Sequence, residues 1–352
     1  MENRVGNRLR YIDVARGIAM ACIVLGHLGN WTIDRVVFTF HVPIFFFITG
    51  YFTNDRKNMR SFIKNKIRTL LIPYTITCLA IIIIGAVEGY FAGNAKDAAL
   101  GWIYASIYGA GDSYAEPFCI KAIGAIWFLW ATFWGSVFLR VSFKFNKYFR
   151  LCFVIGLFVA GYASRCICWF PFSIQAGACA TLFMYMGYLL NDVKIYIVKM
   201  SQEAKIFGVG FAIVTWMAFI KNFQSFWLVH CDIGRGIIDI FGCGCACIVI
   251  MLISWLIDNK TSILAEILAF FGKYSLFVLC IHIIELNLFP WWRITGKLVQ
   301  HGFPSQLQLY LVIAGKFLLI SIMVWGCTRI EIIRKLFGFT SKNEYKSKLM
   351  QE

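Results

Sequence analysis

RYIDVARGIAMACIVLGH, residues 10–27, is the stretch on which the fold turns. A helix that spans a bilayer needs about 20 mostly apolar residues, and this stretch, run on to Asn30, supplies them. It is not a cleavable leader. The apolar run is too long, it holds Asp13 and Arg16, and no small-x-small cleavage site follows. Beyond Arg10 at its start, it also carries Asp13, Arg16 and His27. Each such group near the bilayer centre costs at least ~2.5–3.5 kcal/mol, so its presence marks a working site by default.

The rest of the chain agrees with a membrane setting. Of 352 residues, 60% are hydrophobic and only 15% charged, against roughly 45–50% and about 25% in soluble domains. A soluble globule would have to expose that surplus as aggregating patches. This excludes a soluble enzyme and a nucleic-acid-binding domain, and aromatics at 17% exclude a disordered chain. The expected class is all-α, a polytopic integral membrane protein of about ten helices, over 11–30, 36–53, 70–91, 121–139, 151–169, 174–190, 206–220, 236–257, 270–289 and 307–327. With the N-terminus placed inside, 24 of the 34 Lys and Arg fall in inner segments and 8 in outer ones, Arg16 and Lys316 lying within spans. That asymmetry expects both termini on the cytoplasmic side of the cell membrane. It also accounts for the +16 formal charge without a nucleic-acid partner. Residues 1–335 read as one membrane domain and 336–352 as a short basic cytoplasmic tail.

The intramembrane ionisable groups form a column. Arg16 and His27, eleven residues apart, share nearly one helix face and lie roughly 16 Å apart along the axis, Arg16 towards the cytoplasm. Asp13 sits one turn below Arg16 on the same stripe. His41 re-enters from the outside in the second span, Glu88 lies in the third, Asp239 in the eighth, His282 and Glu285 in the ninth, and Lys316 in the last. Bland readings stand beside these. Asp13–Arg16 is also readable as an interfacial ion pair, His41 and His282 as core histidines, and Lys316 as glue with Glu285 or Asp239. Small residues along the first span, Gly17 and Ala19 among them, allow close approach of neighbours.

The 13 cysteines carry little. Cys22, Cys78, Cys152, Cys179 and Cys280 lie in apolar runs and read as small hydrophobes. Cys243, Cys245 and Cys247 lack zinc-knuckle spacing. Cys166, Cys168 and Cys231 fall in expected outer loops, where pairing is open.

At these residues the chain resembles membrane-bound acyltransferase family 3. The opening stretch, then FHVPIFFFITGYF (40–52), LLIPY (70–74), AIWFLWATF (125–133) and GKYSLFVLCIH (272–282) are similar to that family in order and spacing. The nearest subgroup is the stand-alone sugar O-acetylases, fucose acetylase-like or intercellular-adhesin acyltransferase-like. The resemblance implies about ten membrane helices and transfer of an acyl group, usually acetyl, from cytoplasmic acyl-CoA to a sugar or cell-surface glycan. Acetyl-CoA is then a donor substrate, no cofactor being permanently bound, and the partners are membrane lipid, acyl-CoA and the acceptor. The family's Arg, ten residues, His pattern maps onto Arg16 and His27 as catalytic residues, Arg16 also meeting CoA, and its His-x-Pro-x-Phe-Phe motif maps onto His41, Pro43, Phe45 and Phe46. Asp13, His41, Glu88, Trp127, His282 and Glu285 are taken as supporting residues. The family's paired arginines near the third helix are replaced by Lys64, Lys66 and Arg68, spaced otherwise. These three are the expected contacts to the CoA nucleotide.

The chemistry is reasonable on its own terms. A neutral imidazole can take the proton of a weakly nucleophilic sugar hydroxyl as it attacks a thioester, or can itself be acylated first; the sequence leaves both routes open. The rival class is a secondary transporter or glycan flippase, since intramembrane carboxylates and histidines also suit proton relays. Such folds usually carry an internal repeat, and none is visible.

Overall fold

The computed structural model describes residues 9–55, 58–260 and 262–339. Its helices are α1 (Arg10–Gly26), α2 (Trp31–Val37), α3 (Pro43–Tyr51), α4 (Met59–Lys66), α5 (Ile72–Phe91), α6 (Ala95–Tyr108), α7 (Trp127–Ser142) and α8 (Lys147–Ser164). They continue as α9 (Ile174–Lys199), α10 (Gln202–Lys221), α11 (Ile237–Asn259), α12 (Ile263–Lys273), α13 (Ser275–Leu288), α14 (Trp291–Gln300), α15 (Ser305–Arg329) and α16 (Glu331–Leu336). Among the described residues the only β pairing is a lone antiparallel bridge between Tyr114 and Ile120. The protein is therefore an all-α polytopic membrane protein. Exposed apolar side chains such as Ile83 and Val87 on α5, Phe207 and Val214 on α10, and Leu318 and Ile322 on α15 are what helices facing lipid present.

The ten expected spans are not ten single helices. Six helices among the described residues are long and apolar enough to cross a membrane, and α12 with α13 makes a seventh if that bent pair is one span. The first expected span stops at Gly26, because Gly29 takes a left-handed φ of 66° and Asn30 caps the next helix through Thr32 and Ile33. The second is cut into α2 and α3, since Pro43 has no N–H to continue the ladder and its ring crowds the preceding turn. The fourth starts late, at Trp127, after the bridged segment around Tyr114. The third does the opposite: Pro73 would break it, yet a π turn, Ile67–Leu71, widens the ladder just before the proline. The helical run therefore extends unbroken from Met59 to Phe91. Arg4, Arg8, Arg56, Lys57 and residues 340–352 of the 336–352 tail lie outside the described residues.

The chain divides into two compact units, Met1–Lys57 with Trp134–Ser275, and Asn58–Phe133 with Leu276–Glu352. In the first unit α1 packs on α11 and α12, α3 on α9, α8 on α9, and α10 on α11. Two crossings are made without any side chain between the backbones. A methyl on Gly17 would sit 2.0 Å from the Leu268 carbonyl oxygen, and one on Gly272 would sit 1.7 Å from that of Asp13. Gly50 and Gly187 make the same exchange with Met184 and Phe47, at 1.7 and 1.9 Å. Where lipid surrounds a helix, van der Waals contact and hydrogen bonding hold helices together, and this depth of approach maximises both. In the second unit α5 packs on α6 and α14 on α15. The Tyr74 hydroxyl donates to the Ser106 carbonyl at 2.7 Å, and Phe277 stacks on Phe337 at 4.2 Å.

Candidate active site

In the first unit, His27 directly follows the last residue of α1 and is exposed. Its Nδ1 lies 2.8 Å from the Ile23 carbonyl oxygen, one turn back. A carbonyl only accepts, so Nδ1 carries the hydrogen and Nε2 carries the lone pair. A backbone carbonyl thereby sets the tautomer. His41, in the turn between α2 and α3, repeats the device: its Nδ1 donates to the Val37 carbonyl at 2.7 Å, and that oxygen also accepts the His41 backbone N–H at 2.9 Å. His41 is only 5% exposed. The two imidazoles are near enough for a charge on His27 to be felt at His41. Two imidazoles in the same tautomer, one exposed and one buried, thus share one end of this unit.

An aromatic stack borders them. The Phe38 ring meets His41 edge-on at 4.7 Å, and a methyl on Gly26, beside His27, would lie 3.3 Å from the same ring. Phe38 stacks on Trp227 at 5.5 Å, and Trp227 on His230 at 5.7 Å. Trp227 and His230 come from the 222–236 segment, read from sequence as a plain outer loop. It is a folded plug instead, with Phe223, Phe226, Leu228, Cys231 and Ile233 buried. Arg235 holds its far end by a two-pronged contact with Asp239, at 3.0 and 2.7 Å, while its backbone N–H also reaches that carboxylate. Asp239, in the first turn of α11, thus answers Arg235 and not Lys316. The signal for the plug was the aromatic-rich FQSFWLVH run, 223–230, too dense in apolar groups for a solvated loop.

Asp13 is buried and Arg16 half-buried on α1, beside the glycine crossing with α12. The end of α1 is tied down by Arg10, whose Nε lies 3.2 Å from Asp258 Oδ1 of α11.

In the second unit His282 and Glu285 belong to a closed network. His282 Nδ1 is 2.9 Å from Glu285 Oε2, and Lys316 Nζ is 2.5 Å from Oε1, which also accepts the Trp291 indole N–H. Lys316 lies over the Trp291 ring at 4.9 Å. His282, Glu285 and Lys316 are all buried. Of the two partners expected for Lys316, Glu285 is the one it meets. Trp291 was missed by sequence, because it lies on a different helix and its role appears only when α14 folds back. Beside Glu285 a cavity of about 230 Å³ is lined by Ile84, Ile281, Ile284, Leu288 and other aliphatic groups.

The other expected residues of this unit lie apart from that network. Glu88 is exposed in the last turn of α5, amid exposed Val87 and Phe91. Trp127 is buried at the start of α7. Lys64 and Arg68 are exposed on α4 and the π turn, Arg60 one turn before them, while Lys66 lies half-buried over the Phe62 ring.

A family model described as an acyltransferase domain matches residues 9–329. Nodulation protein NolL from Mesorhizobium japonicum (strain LMG 29417 / CECT 9101 / MAFF 303099) is 24% identical over 156 residues, which is 40% of this chain and 38% of that relative's own length. No solved structure matches the chain.

Proposed function

The chain belongs to acyltransferase family 3, a family of membrane acyltransferases, and from that premise we propose that it moves an acyl group, acetyl first among the candidates, from cytoplasmic acyl-CoA to a hydroxyl of a sugar or cell-surface glycan. The observation that carries this reading is the His27 hydrogen bond to the Ile23 carbonyl, which leaves the basic nitrogen on Nε2 at the exposed end of α1. In the direct route, Nε2 takes the acceptor's hydroxyl proton as the oxygen attacks the thioester carbonyl. The resulting imidazolium then protonates the departing CoA thiolate. In the two-step route the same nitrogen attacks the thioester, CoA leaves as the thiolate, and the sugar oxygen displaces the imidazole from the acyl carbon, its hydroxyl proton passing to that thiolate. Both routes use Nε2, so the tautomer supports either.

Arg16 sits eleven residues before His27, roughly 16 Å along a helix. That is too far to touch an oxyanion formed at His27. It suits a grip on the phosphates or pantetheine oxygens of a donor whose arm extends along α1, and a guanidinium fork fits phosphate better than a point charge. Arg60, Lys64 and Arg68 of the second unit, exposed and one turn apart, form a basic stripe suited to phosphate. His41 holds the acceptor beside His27, with Phe38 and Trp227 as the apolar wall. The cell membrane, with both termini inside, is the proposed setting.

The test is transfer of radiolabelled acetyl from acetyl-CoA to oligosaccharide acceptors by the full chain in lipid nanodiscs. Labelled sugar that depends on His27 supports the reading. CoA release with no acylated sugar, or uptake of unmodified sugar into vesicles, would overturn it.

A further inference from the structure

We propose that Trp216 of α10 is a positioning residue for His41, acting through the Thr39 hydroxyl. Its effect on turnover rests on the acyl-transfer reading above, whereas its hold on the ring does not. The Trp216 indole N–H donates to Thr39 Oγ1 at 2.9 Å, and that hydroxyl donates in turn to the Val36 carbonyl at 2.6 Å. The direction is fixed by chemistry. An indole N–H only donates and a carbonyl only accepts, so the hydroxyl takes from one and gives to the other. The next carbonyl along, that of Val37, receives both the Nδ1 hydrogen and the backbone N–H of His41, at 2.7 and 2.9 Å. The relay from α10 therefore ends one peptide away from the group that fixes the His41 ring.

This turn needs support from outside itself. Pro43 has no N–H, so the helical ladder is interrupted between α2 and α3. The Thr39 and Phe40 backbone N–H groups close the turn on Val36 and Val37 at 3.3 and 3.2 Å, longer than the usual ~2.9–3.0 Å. Both residues are buried, and Trp216 reaches both, its ring meeting Phe40 edge-on at 5.7 Å. Trp216 is itself seated against Ala212, Cys245 and Val249, from α10 and α11. Much of the rest of α10 is turned outward, with Phe207, Phe211, Val214 and Met217 exposed. Between membrane helices, packing and interhelical hydrogen bonds supply the hold, so this indole carries weight on a helix with few buried residues. A second tie runs from Arg35 to the Ile220 carbonyl at 3.1 Å; it fastens α2 to the end of α10 and not the His41 turn itself.

The experiment uses the full chain in lipid nanodiscs, its histidines labelled with heavy nitrogen for nuclear magnetic resonance. The His41 ring signals, identified by their loss in His41→Gln, report which nitrogen carries the hydrogen. The wild type should show His41 as a single Nδ1–H tautomer. Trp216→Phe removes the indole N–H and keeps a ring, and Thr39→Val removes the hydroxyl and keeps the shape. Each should bring in the second tautomer, while Thr39→Ser should keep the wild-type signal. This arm needs no substrate, so it is decided separately from the acyl-transfer reading.

The second arm measures transfer from acetyl-CoA to the oligosaccharide that the wild type acetylates fastest. Trp216→Phe and Thr39→Val should each lower kcat/KM for the sugar about three- to tenfold, the scale of one hydrogen bond, with KM for acetyl-CoA unchanged. Because both act through one bond, the double variant should be no worse than the poorer single one. A wild type that transfers nothing would overturn the acyl-transfer reading and leave the tautomer to decide the role of Trp216. An unchanged His41 tautomer in both variants, additive losses in the double variant, or a loss that falls equally on both substrates and follows Tm would each overturn the proposal.

Discussion

His27 and His282 are both membrane histidines with Nδ1 engaged, and they are not equivalent. In the first unit Nδ1 of His27 meets a backbone carbonyl and the ring is exposed. In the second unit the partner of His282 is a carboxylate that already holds Lys316 and Trp291, and the whole network is buried. A carbonyl orients an imidazole and leaves it able to take and return a proton. A carboxylate bound to a lysine is part of a closed charge balance, in which the histidine completes the carboxylate's hydrogen bonding. The two histidines thus differ in the charge state of the Nδ1 partner and in exposure.

The sharpest way to break that comparison is to remove each side in turn. His27→Ala should cut acyl transfer by about 10²–10⁴-fold, the range for loss of a general base, while the protein still inserts and elutes as a folded species. Retention of more than half the activity in a nanodisc assay would end the case for His27. Lys316→Met should act on stability instead. It leaves Glu285 as an uncompensated buried charge, worth about 3–5 kcal/mol, and should lower Tm steeply with little change in turnover per folded molecule. Lys316→Met with Glu285→Gln should regain most of that loss. If the double variant is as unstable as the single one, the network is not a charge balance.

Gly187→Ala sharpens a different part of the picture. Its methyl would meet the Phe47 carbonyl oxygen at 1.9 Å, so α3 and α9 must separate, at a cost of about 1–3 kcal/mol for overpacking. Gly208→Ala, where no atom lies within reach, is the control and should leave Tm unchanged or slightly higher. The smallest expected effect is at His41. Its ring hydrogen bond and contact with Phe38 position one side of the site, so His41→Ala should reduce turnover by about tenfold, the scale of one hydrogen bond. A loss as deep as that of His27→Ala would make the two histidines chemical equals and erase the distinction between exposed and buried rings in the first unit.

Much of this was legible in the order of residues. A membrane helix that tolerates Asp13, Arg16 and His27 advertises a site, because the bilayer penalises each of them. Helix ends were harder. Pro43 and Pro73 look alike in sequence, yet one separates two helices and the other is absorbed by a π turn. The outcome depends on whether the neighbouring turn can widen, a local choice made under packing. The plug at 222–236 was hidden for a related reason: its aromatic residues are legible, but their burial requires partners such as Phe183 and Phe38, far away in sequence.

Composition and spacing determined by themselves that this is a helical membrane protein and which family it resembles. Those are properties of local pattern and solvent, and they need no knowledge of neighbours. Tertiary structure alone decided that Lys316 answers Glu285 and that the Trp227 ring meets Phe38. A buried charge's partner and a ring's neighbour are settled by distances of a few ångströms between residues far apart in the chain, and only packing sets those distances.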